Sequence, residues 1–531
     1  MIGVSRRRVK HGTAAALLPP ARTFRIVQSR QRITNAITRQ LDHVIVVVPR
    51  RVPANTWTTI PGLKHLEPAF RRHAGNHRRP LHGTLAGGTG VTLSALPAID
   101  AASGNGSLPA PFPLLQFAGE IAADSLADEP RSLGVIIHGL ASHDAEPVIK
   151  ALLLALGARA WQQPSFRAKQ HPPSLKLIRI LGHAAPMDLE RTMAEIDAAN
   201  LVRWLTSLPA NKLSAAGYRA VLASLAESHD WTLEWFGDSE LKKLNAGAFL
   251  AVAQGNGSRD AGIARLRRRP GRQQRQRQRK DNRPDVALVG KGIIFDTGGT
   301  NLKSAQHMID MHTDMSGSAV ALATLAALTR LESPLAVDCW LAISENRTGP
   351  AAYKQRDVVT ASNGVTIEVM HTDAEGRIVL ADTLALADRQ SPRLMLDYGT
   401  LTGACVHALS ERYSGVFTNH EVFNELLVRV GRLSGERVWP FPNDPDFDDD
   451  IKSKAADVAQ CALTGEADQI LAFRFLQRFV AKTTPWIHLD LASAWRKDGL
   501  AQMPGGATGF GLRYTLALLL DHLPELKKLA G

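Results

Sequence analysis

"HTDAEGRIVLADTL", residues 371–384, joins three charged side chains to a long apolar run. Asp373, Glu375 and Arg377 occupy alternate positions, and continuous apolar residues begin at position 378. The residues just before this stretch alternate between apolar and polar, which is typical of a strand, and the run after it is typical of a buried helix. The pattern therefore predicts a strand, a turn and a core helix in succession, as in an α/β fold.

The charged trio has two interpretations. An acid-x-acid-x-Arg pattern is common in solvated surface turns, and alone it indicates nothing more. Charges held at a strand end inside a core are costly unless a partner neutralises them. A metal ion is one such partner, and it would require further ligands from other parts of the chain.

Length and composition limit the possibilities. A chain of 531 residues is too long for one ordinary core, which favours two domains. No run of about 18 apolar residues occurs, so we expect no membrane span. The three cysteines, Cys339, Cys405 and Cys461, are far apart and have no C-x-x-C spacing. They indicate a reducing compartment and no structural zinc finger.

The net charge of +13 is concentrated in two segments. Residues 1–41 hold nine Lys or Arg and no acid (+9), and residues 259–283 hold eleven Lys or Arg and two acids (+9). Because 13 − 9 − 9 = −5, the remainder of the chain is mildly acidic. A basic nucleic-acid-binding face built into the fold is therefore disfavoured.

The N-terminal part divides into two predicted regions. Residues 1–41 are interpreted as a basic, disordered N-terminal extension; an organelle transit peptide or an extension from a misplaced start codon are the alternatives. Residues 42–183 are predicted to form a small N-terminal α/β domain, because "HVIVVVP", "SLGVIIHGL" and "LKLIRIL" resemble strands around a helical stretch. Its histidines are isolated, and we interpret them as structural.

Residues 184–531 are predicted to form the larger C-terminal α/β catalytic domain, with a mixed central sheet flanked by helices. A linker helix is expected at its start. The basic loop 265–284 is expected to be a mobile surface excursion between strands, since it has almost no apolar residues. Contact with RNA or DNA is the functional alternative for this loop.

Two further stretches carry candidate chemistry. "VGKGIIFDTGGTNLKSAQHMIDMHTDMSG", residues 289–317, passes from a strand through glycine-rich turns to a helix expected near Ser316. "LMLDYGTLTGACVHAL", residues 394–409, ends a strand in small residues, which is a common substrate-side location in α/β folds. The first stretch lacks the spacing of a phosphate-binding P-loop.

Together with residues 371–384, these stretches aim three carboxylates from strand ends, Asp296, Asp314 and Asp373, and Glu375 is a fourth. Four such groups cannot all be ionised side by side without counter-charge. Two divalent cations would neutralise them, and a pair of metals about 3.5–4 Å apart is a known device for activating water.

The blocks "VGKGIIFDTGG", "DMHTDMSG", "TDAEGRIVLADTL" and "LDYGTLTGA" resemble those of the leucyl aminopeptidases, the cytosol aminopeptidases with two metal ions. The resemblance covers roughly residues 195–520, including "WIHLDLA" and "PGGATGFGLR". The first domain matches only in general character.

The resemblance implies a role for each matched residue. One metal is expected on Lys291, Asp296, Asp314 and Glu375. The other is expected on Asp296, Asp373 and Glu375, with Asp296 and Glu375 bridging. Lys303 and Arg377 match the catalytic positions. The positions that would line the pocket for the first side chain are Met311, Thr400, Gly403 and Ala492.

The expected activity is metal-assisted release of N-terminal amino acids from peptides with a free N-terminus. The substrate amino group would bind one metal, a water between the metals would attack, and Lys303 would stabilise the oxyanion. By resemblance, Arg377 would hold bicarbonate as general base, because no protein carboxylate is left free for that role. Mn²⁺ or Zn²⁺, a homohexamer and a cytoplasmic location are also implied.

Two departures and two rival functions stay open. His371 stands where many members have Asn, which invites a metal-ligand interpretation although the ligand set is complete without it. The other departure is the basic loop. A nucleic-acid-binding protein of the same fold, acting through residues 1–41 and 259–283, is the main alternative. A catalytically inactive scaffold is disfavoured because every matched ligand and catalytic position is intact.

Overall fold

The computed structural model describes residues 16–73, 80–85, 87–98, 108–270 and 283–530. Within them the chain forms two large sheets, each covered by helices, and two small ones. The mixed α/β class predicted from the sequence is confirmed.

The first sheet has six strands in the order β1-β6-β5-β2-β4-β3. All neighbours are parallel except β3 and β4. The strands are β1 Arg25–Ser29, β2 His43–Val48, β3 Leu81–Thr84, β4 Gly90–Ala95, β5 Ser132–Ile137 and β6 Leu177–Leu181. The helices of this part are α1 Asn35–Thr38, α2 Thr56–Thr59, α3 Glu67–His73, α4 Pro111–Ser125 and α5 Ser142–Arg159. Buried apolar side chains pack on both faces, as a parallel sheet requires.

The second sheet has eight strands in the order β15-β14-β17-β13-β9-β10-β8-β7. Its centre, from β17 to β10, is parallel, and antiparallel pairs flank it, so the predicted mixed sheet is confirmed. The strands are β7 Thr232–Phe236, β8 Gly262–Arg268, β9 Val286–Asp296, β10 Val337–Asn346, β13 Met395–Gly399, β14 Ser414–Thr418, β15 Val438–Pro440 and β17 Trp486–Asp490.

Helices cover both faces of the second sheet. Alternate residues of β9 enter opposite cores, Leu288 on one side and Val289 on the other, which explains its continuous apolar sequence. The helices are α6 Glu190–Ser207, α7 Ala215–Ser228, α8 Asp238–Lys243, α9 Gly247–Ala253, α10 Ala305–Met308, α11 Ser316–Arg330, α12 Glu375–Asp388, α13 Gly403–Leu409, α14 Asn424–Ser434, α15 Asp468–Leu476, α16 Leu512–Asp521 and α17 Leu523–Leu529. Helix α6 confirms the predicted linker helix, and α11 begins at the predicted Ser316.

Two small sheets complete the fold. Strands β11 Val358–Thr360, β12 Thr366–Glu368 and β16 Val458–Ala459 form one of them, and β12 leads towards the 371–384 stretch. Strands β18 Trp495–Arg496 and β19 Gly506–Ala507 form the other. No helix among the described ranges is both long and apolar enough to span a membrane.

The structure corrects the interpretation of residues 1–41 as an extension outside the fold. Residues 1–15 lie outside the described residues, but β1 pairs in parallel with β6. The segment is also fixed to α6, because Arg22 forms an ion pair with Asp197 and Trp204 donates to the Leu17 carbonyl. An edge strand with two arginines nearby has no buried apolar run, so its sequence did not indicate a strand. The domain boundary at 183/184 stays a prediction.

The predicted start of the basic loop 265–284 is also wrong. Residues 265–268 belong to strand β8, which pairs with β7 and β10. Residues 271–282 lie outside the description. Strands were expected on both sides of the loop, but the apolar run at residues 248–253 lies in helix α9, because a short apolar run is compatible with either a strand or a helix.

Candidate metal centre

The candidate site lies where parallel strands of the second sheet end. Asp296 is the last residue of β9, and Thr400 directly follows β13. Because carboxyl ends of parallel strands meet at one edge of a sheet, these residues lie close together. Asp314 arrives from a 3-10 turn just before α11, and Glu375 is the first residue of α12.

Lys291 sits at the centre of one acidic group. Its Nζ lies 2.8 Å from Asp314 Oδ2 and 3.0 Å from Glu375 Oε1, and it donates to the Thr400 carbonyl at 2.9 Å. Thr400 Oγ1 in turn donates to Asp314 Oδ1 at 2.6 Å. The lysine is buried, so its charge is balanced by these carboxylates alone among its described contacts.

Lys303 serves a second acidic group beside the first. Its Nζ lies 2.9 Å from Asp296 Oδ2 and 2.5 Å from Asp373 Oδ1. Both lysines are thus ammonium counter-ions of the carboxylates expected to bind metal. The structure brings together all five predicted ligands and Lys303.

Asn346 is a site residue that the sequence did not indicate. It ends β10 opposite Asp296, after an irregularity in the register beyond Ser344. Its fully buried amide donates to Asp296 Oδ1 at 2.8 Å, to the Thr372 carbonyl at 3.0 Å and to Glu375 Oε2 at 3.3 Å. It therefore orients two of the carboxylates at once.

The pKa values of the acids show that the cluster is short of positive charge. Burial, with neighbouring carboxylates, raises the pKa of Asp314 to about 8 and that of Glu375 to about 7, against the opposing effect of Lys291. Burial and Asp296 raise the pKa of Asp373 to about 6, against the effect of Lys303. Burial alone would lower the pKa of Lys291, but the surrounding carboxylates raise it well above its ordinary value. Two lysines do not balance the charge of four acids, three of which are buried, and added cations would.

The donor set also fits metal ions. Asp296, Asp314 and Glu375 each offer an oxygen within 4.8 Å of the others. Asp314 Oδ2 and Asp373 Oδ1 are buried and accept no hydrogen bond of ordinary geometry from the described residues, although a lysine lies within ion-pair distance of each. Carboxylate oxygens without hydrogen-bond partners are suited to coordinate divalent cations.

The remaining predicted residues lie around this cluster in different ways. Arg377 is fully buried on α12 and pairs with Asp468, both carboxylate oxygens lying 2.8 Å from its Nη2. His371 accepts a hydrogen bond from the Asp373 amide at Nδ1, 3.2 Å away, so this nitrogen is already engaged. Met311 is half-buried, Ala492 buried, and a side chain at Gly403 would meet open space.

Comparison with known proteins agrees with the geometry. The model of the cytosol aminopeptidase family, catalytic domain, matches residues 200–516. The chain belongs to this family. A probable cytosol aminopeptidase from Polaromonas sp. (strain JS666) is 36% identical over 395 residues, which are 73% of this chain and 74% of the relative.

Solved structures extend the likeness over both sheets of this family member. The bottromycin maturation enzyme BotP in complex with Mn superposes with a TM-score of 0.75 at 26% identity, covering 92% of this chain and 100% of BotP. A mutant of tomato leucine aminopeptidase has a TM-score of 0.79 at 24% identity, covering 96% of this chain and 100% of the tomato chain. The second likeness concerns the fold alone.

As a cytosol aminopeptidase, the chain is a metal-dependent peptidase that releases N-terminal amino acids. The nucleic-acid-binding alternative gains no support. Of the described part of the basic segment, Arg265 and Arg269 pair with Asp338, and Arg267 pairs with Glu234. All three arginines are paired with acids of the sheet, which disfavours a free basic surface at these positions.

Proposed function

We propose that this aminopeptidase holds two divalent cations in the cluster just described. Lys291, Asp296, Asp314 and Glu375 would hold one cation. Asp296, Asp373 and Glu375 would hold the other, so that Asp296 and Glu375 bridge. The proposal is supported by the convergence of these side chains at one sheet edge and by the raised pKa values of the acids.

The bound cations supply the positive charge that polarises a peptide carbonyl and lowers the pKa of water. For Lys291 to serve as a ligand its amine must be neutral, and an adjacent dication depresses the pKa of a lysine. Mn²⁺ or Zn²⁺ suits a donor set of oxygens with one amine. The manganese in the BotP complex is consistent with the first choice.

Lys303 is assigned to the reaction itself. With cations held by Asp296 and Asp373, the Lys303 ammonium would no longer be required as their counter-ion and would be available to face the scissile carbonyl. There it stabilises the negative charge that develops on the carbonyl oxygen. The Lys303 side chain would need to move little to reach the substrate, because its ammonium already contacts both carboxylates.

The first side chain of the substrate is expected to lie among Met311, Thr400, Gly403 and Ala492. Thr400 touches the cluster through Asp314, and Gly403 faces open space, so this side of the site has room for a side chain. The free amine of the substrate, in its neutral form, would bind to one of the cations, which would select peptides with an unblocked N-terminus.

Three finer features complete the proposal. The chain is expected to form a homohexamer, which light scattering would report as six times 57.6 kDa. A cytoplasmic location is expected, as for other cytosol aminopeptidases. A bicarbonate ion on Arg377 remains a prediction of the family resemblance. Asp468 is relevant to it because its carboxylate is paired with the same guanidinium.

The test is hydrolysis of Leu-Gly against N-acetyl-Leu-Gly after addition of Mn²⁺ or Zn²⁺. We expect hydrolysis of the free dipeptide alone, two metals per chain by elemental analysis, and loss of activity after chelation. Equal cleavage of the acetylated peptide would contradict the role given to the free N-terminus.

A further inference from the structure

Arg377 forms an ion pair with a carboxylate of the same chain, that of Asp468. Its Nη2 lies 2.8 Å from both Oδ1 and Oδ2 of Asp468, and its Nη1 donates to the Gln460 carbonyl at 3.3 Å. Arg377 follows the proposed ligand Glu375 by two positions on α12. The expectation of bicarbonate on Arg377 did not take the Asp468 carboxylate into account.

Asp468 is held in place by the start of a helix. It is the first residue of α15, and the preceding Ala467 has a φ of 52°, in the left-handed region that residues other than glycine rarely adopt. Such strain persists only where the surrounding structure enforces it, and it is frequent at functional sites. The Arg377 side chain is 1% exposed while that of Asp468 is 25% exposed, so the carboxylate remains open to water.

Gln460 connects this ion pair to the backbone of the metal cluster. Its carbonyl accepts from Arg377, and its side-chain amide donates to the carbonyls of His371 at 2.8 Å and Ala374 at 3.0 Å. These carbonyls belong to the turn that carries the proposed ligands Asp373 and Glu375. The Arg377–Asp468 pair is therefore joined by hydrogen bonds to the segment that positions two of the ligands.

We propose that Asp468 is the general base of this aminopeptidase and fills the anion position on Arg377 in place of an anion from solution. The proposal rests on the function assigned to the metal cluster. It needs no co-reactant beyond peptide and water.

The proton balance is complete with Asp468 as carrier. One proton of the attacking water passes to the Asp468 carboxylate while the water oxygen bonds to the carbonyl carbon. The carbonyl π pair moves to its oxygen, where Lys303 stabilises it. When the C–N bond breaks, its electron pair stays on nitrogen, which takes the proton back from Asp468.

A purely structural role for Asp468 predicts different behaviour. A buried guanidinium requires a counter-charge, so removal of Asp468 lowers stability under either interpretation. Only a vacated base position would bind a small anion and regain activity with it. Rescue by anions therefore separates the two roles.

The experiment uses the full-length enzyme with metal, in buffer depleted of bicarbonate. We compare the unmodified enzyme with Asp468→Ala, and use Asp448→Ala as the matched control. Asp448 forms a similar paired contact, with both oxygens 2.8 Å from Arg474, and makes no described contact with the proposed ligands. Metal content, kcat and melting temperature are measured with and without added bicarbonate or formate.

We expect the unmodified enzyme to show the same kcat with and without bicarbonate. Asp468→Ala should keep its metals and lose about 10²–10⁴-fold in kcat, the scale of general-base catalysis, and an added anion should restore about tenfold or more. Because a ligand that binds only the folded state stabilises it, bicarbonate should raise the melting temperature of Asp468→Ala alone. Asp448→Ala should show neither response.

Three results would overturn the proposal. These are a several-fold activation of the unmodified enzyme by bicarbonate, full activity of Asp468→Ala without an anion, and an inactive, metal-loaded variant that no anion rescues. If Asp468→Ala does not fold, the bicarbonate response of the unmodified enzyme still decides. If the function proposed for the metal cluster is wrong, no variant will hydrolyse the peptide. The comparison of melting temperatures would still show whether Asp468 fills the anion position.

Discussion

Asn346 and Asp296 end two neighbouring parallel strands and lie side by side, with Asn346 Nδ2 donating to Asp296 Oδ1 at 2.8 Å. The same amide reaches Glu375 Oε2 at 3.3 Å. An uncharged donor thus holds the two carboxylates proposed to bridge the metals. It does so without adding a charge that would compete with a cation.

We predict that Asn346→Ala weakens metal binding by about 10–100-fold, the usual effect of removing a residue that orients metal ligands. The ligands themselves remain, so binding is weakened and not abolished. Calorimetric titration of metal-free protein with Mn²⁺ measures the change, and the melting temperature of the metal-free form controls for misfolding. An unchanged affinity in a folded variant would remove Asn346 from the site.

Asp296→Ala should have a more severe effect, because it deletes a proposed bridging ligand. We expect loss of most bound metal and of essentially all dipeptide hydrolysis. Asp449→Ala changes the net charge equally at an exposed position and should leave both properties intact. Two metals per chain with normal turnover in Asp296→Ala would contradict the ligand assignment.

Lys303→Ala separates catalysis from metal binding. Lys303 is proposed to stabilise the oxyanion and not to coordinate, so the variant should keep its metals while kcat falls by roughly 10²–10³, the scale for losing one such donor. Lys354→Ala, at an exposed lysine, is the matched control. A collapse of metal content in Lys303→Ala would show that the role was assigned wrongly.

Part of this site could be predicted from the sequence because Asp296 ends a buried strand and Glu375 begins a buried helix. A buried apolar run that ends in Asp296, or a helix that begins at Glu375, places each carboxylate at the carboxyl edge of a parallel sheet whatever the strand order. Asn346 could not be predicted, since its role depends on β10 being the neighbour of β9. Asp468 reaches Arg377 across 91 residues, which no local pattern encodes.

The fold was predictable where burial is two-sided and ambiguous where it is not. Strand β2 is buried along its whole length and is recognisable from its β-branched run. Strand β1 lies at the sheet edge with mostly half-exposed side chains, so its sequence resembles that of a polar tail. Helix α9 and a buried strand share the same short apolar composition, and only tertiary packing distinguishes them.

The last prediction concerns stability at a distance from the metals. Glu436 is buried and accepts from the amides of Gly511 at 2.9 Å and Tyr514 at 2.8 Å, at the start of α16. Burial raises its pKa to about 7, against the effect of these amides and of Arg513. In the unfolded chain the pKa returns to its ordinary value of 4.5.

Between these two pKa values the folded protein holds a proton that the unfolded chain has released. The free energy of unfolding therefore falls as the pH rises from about 4.5 to about 7, and the stabilisation present below 4.5 is lost above 7. Glu436→Gln removes the titrating group. Over this pH range the free energy of unfolding of the variant should therefore change by about 1–3 kcal/mol less than that of the unmodified protein. Urea denaturation at several pH values, with exposed Glu227→Gln as control, measures the difference. A difference between Glu436→Gln and the unmodified protein that stays constant from pH 4.5 to 7 would mean that Glu436 does not titrate there.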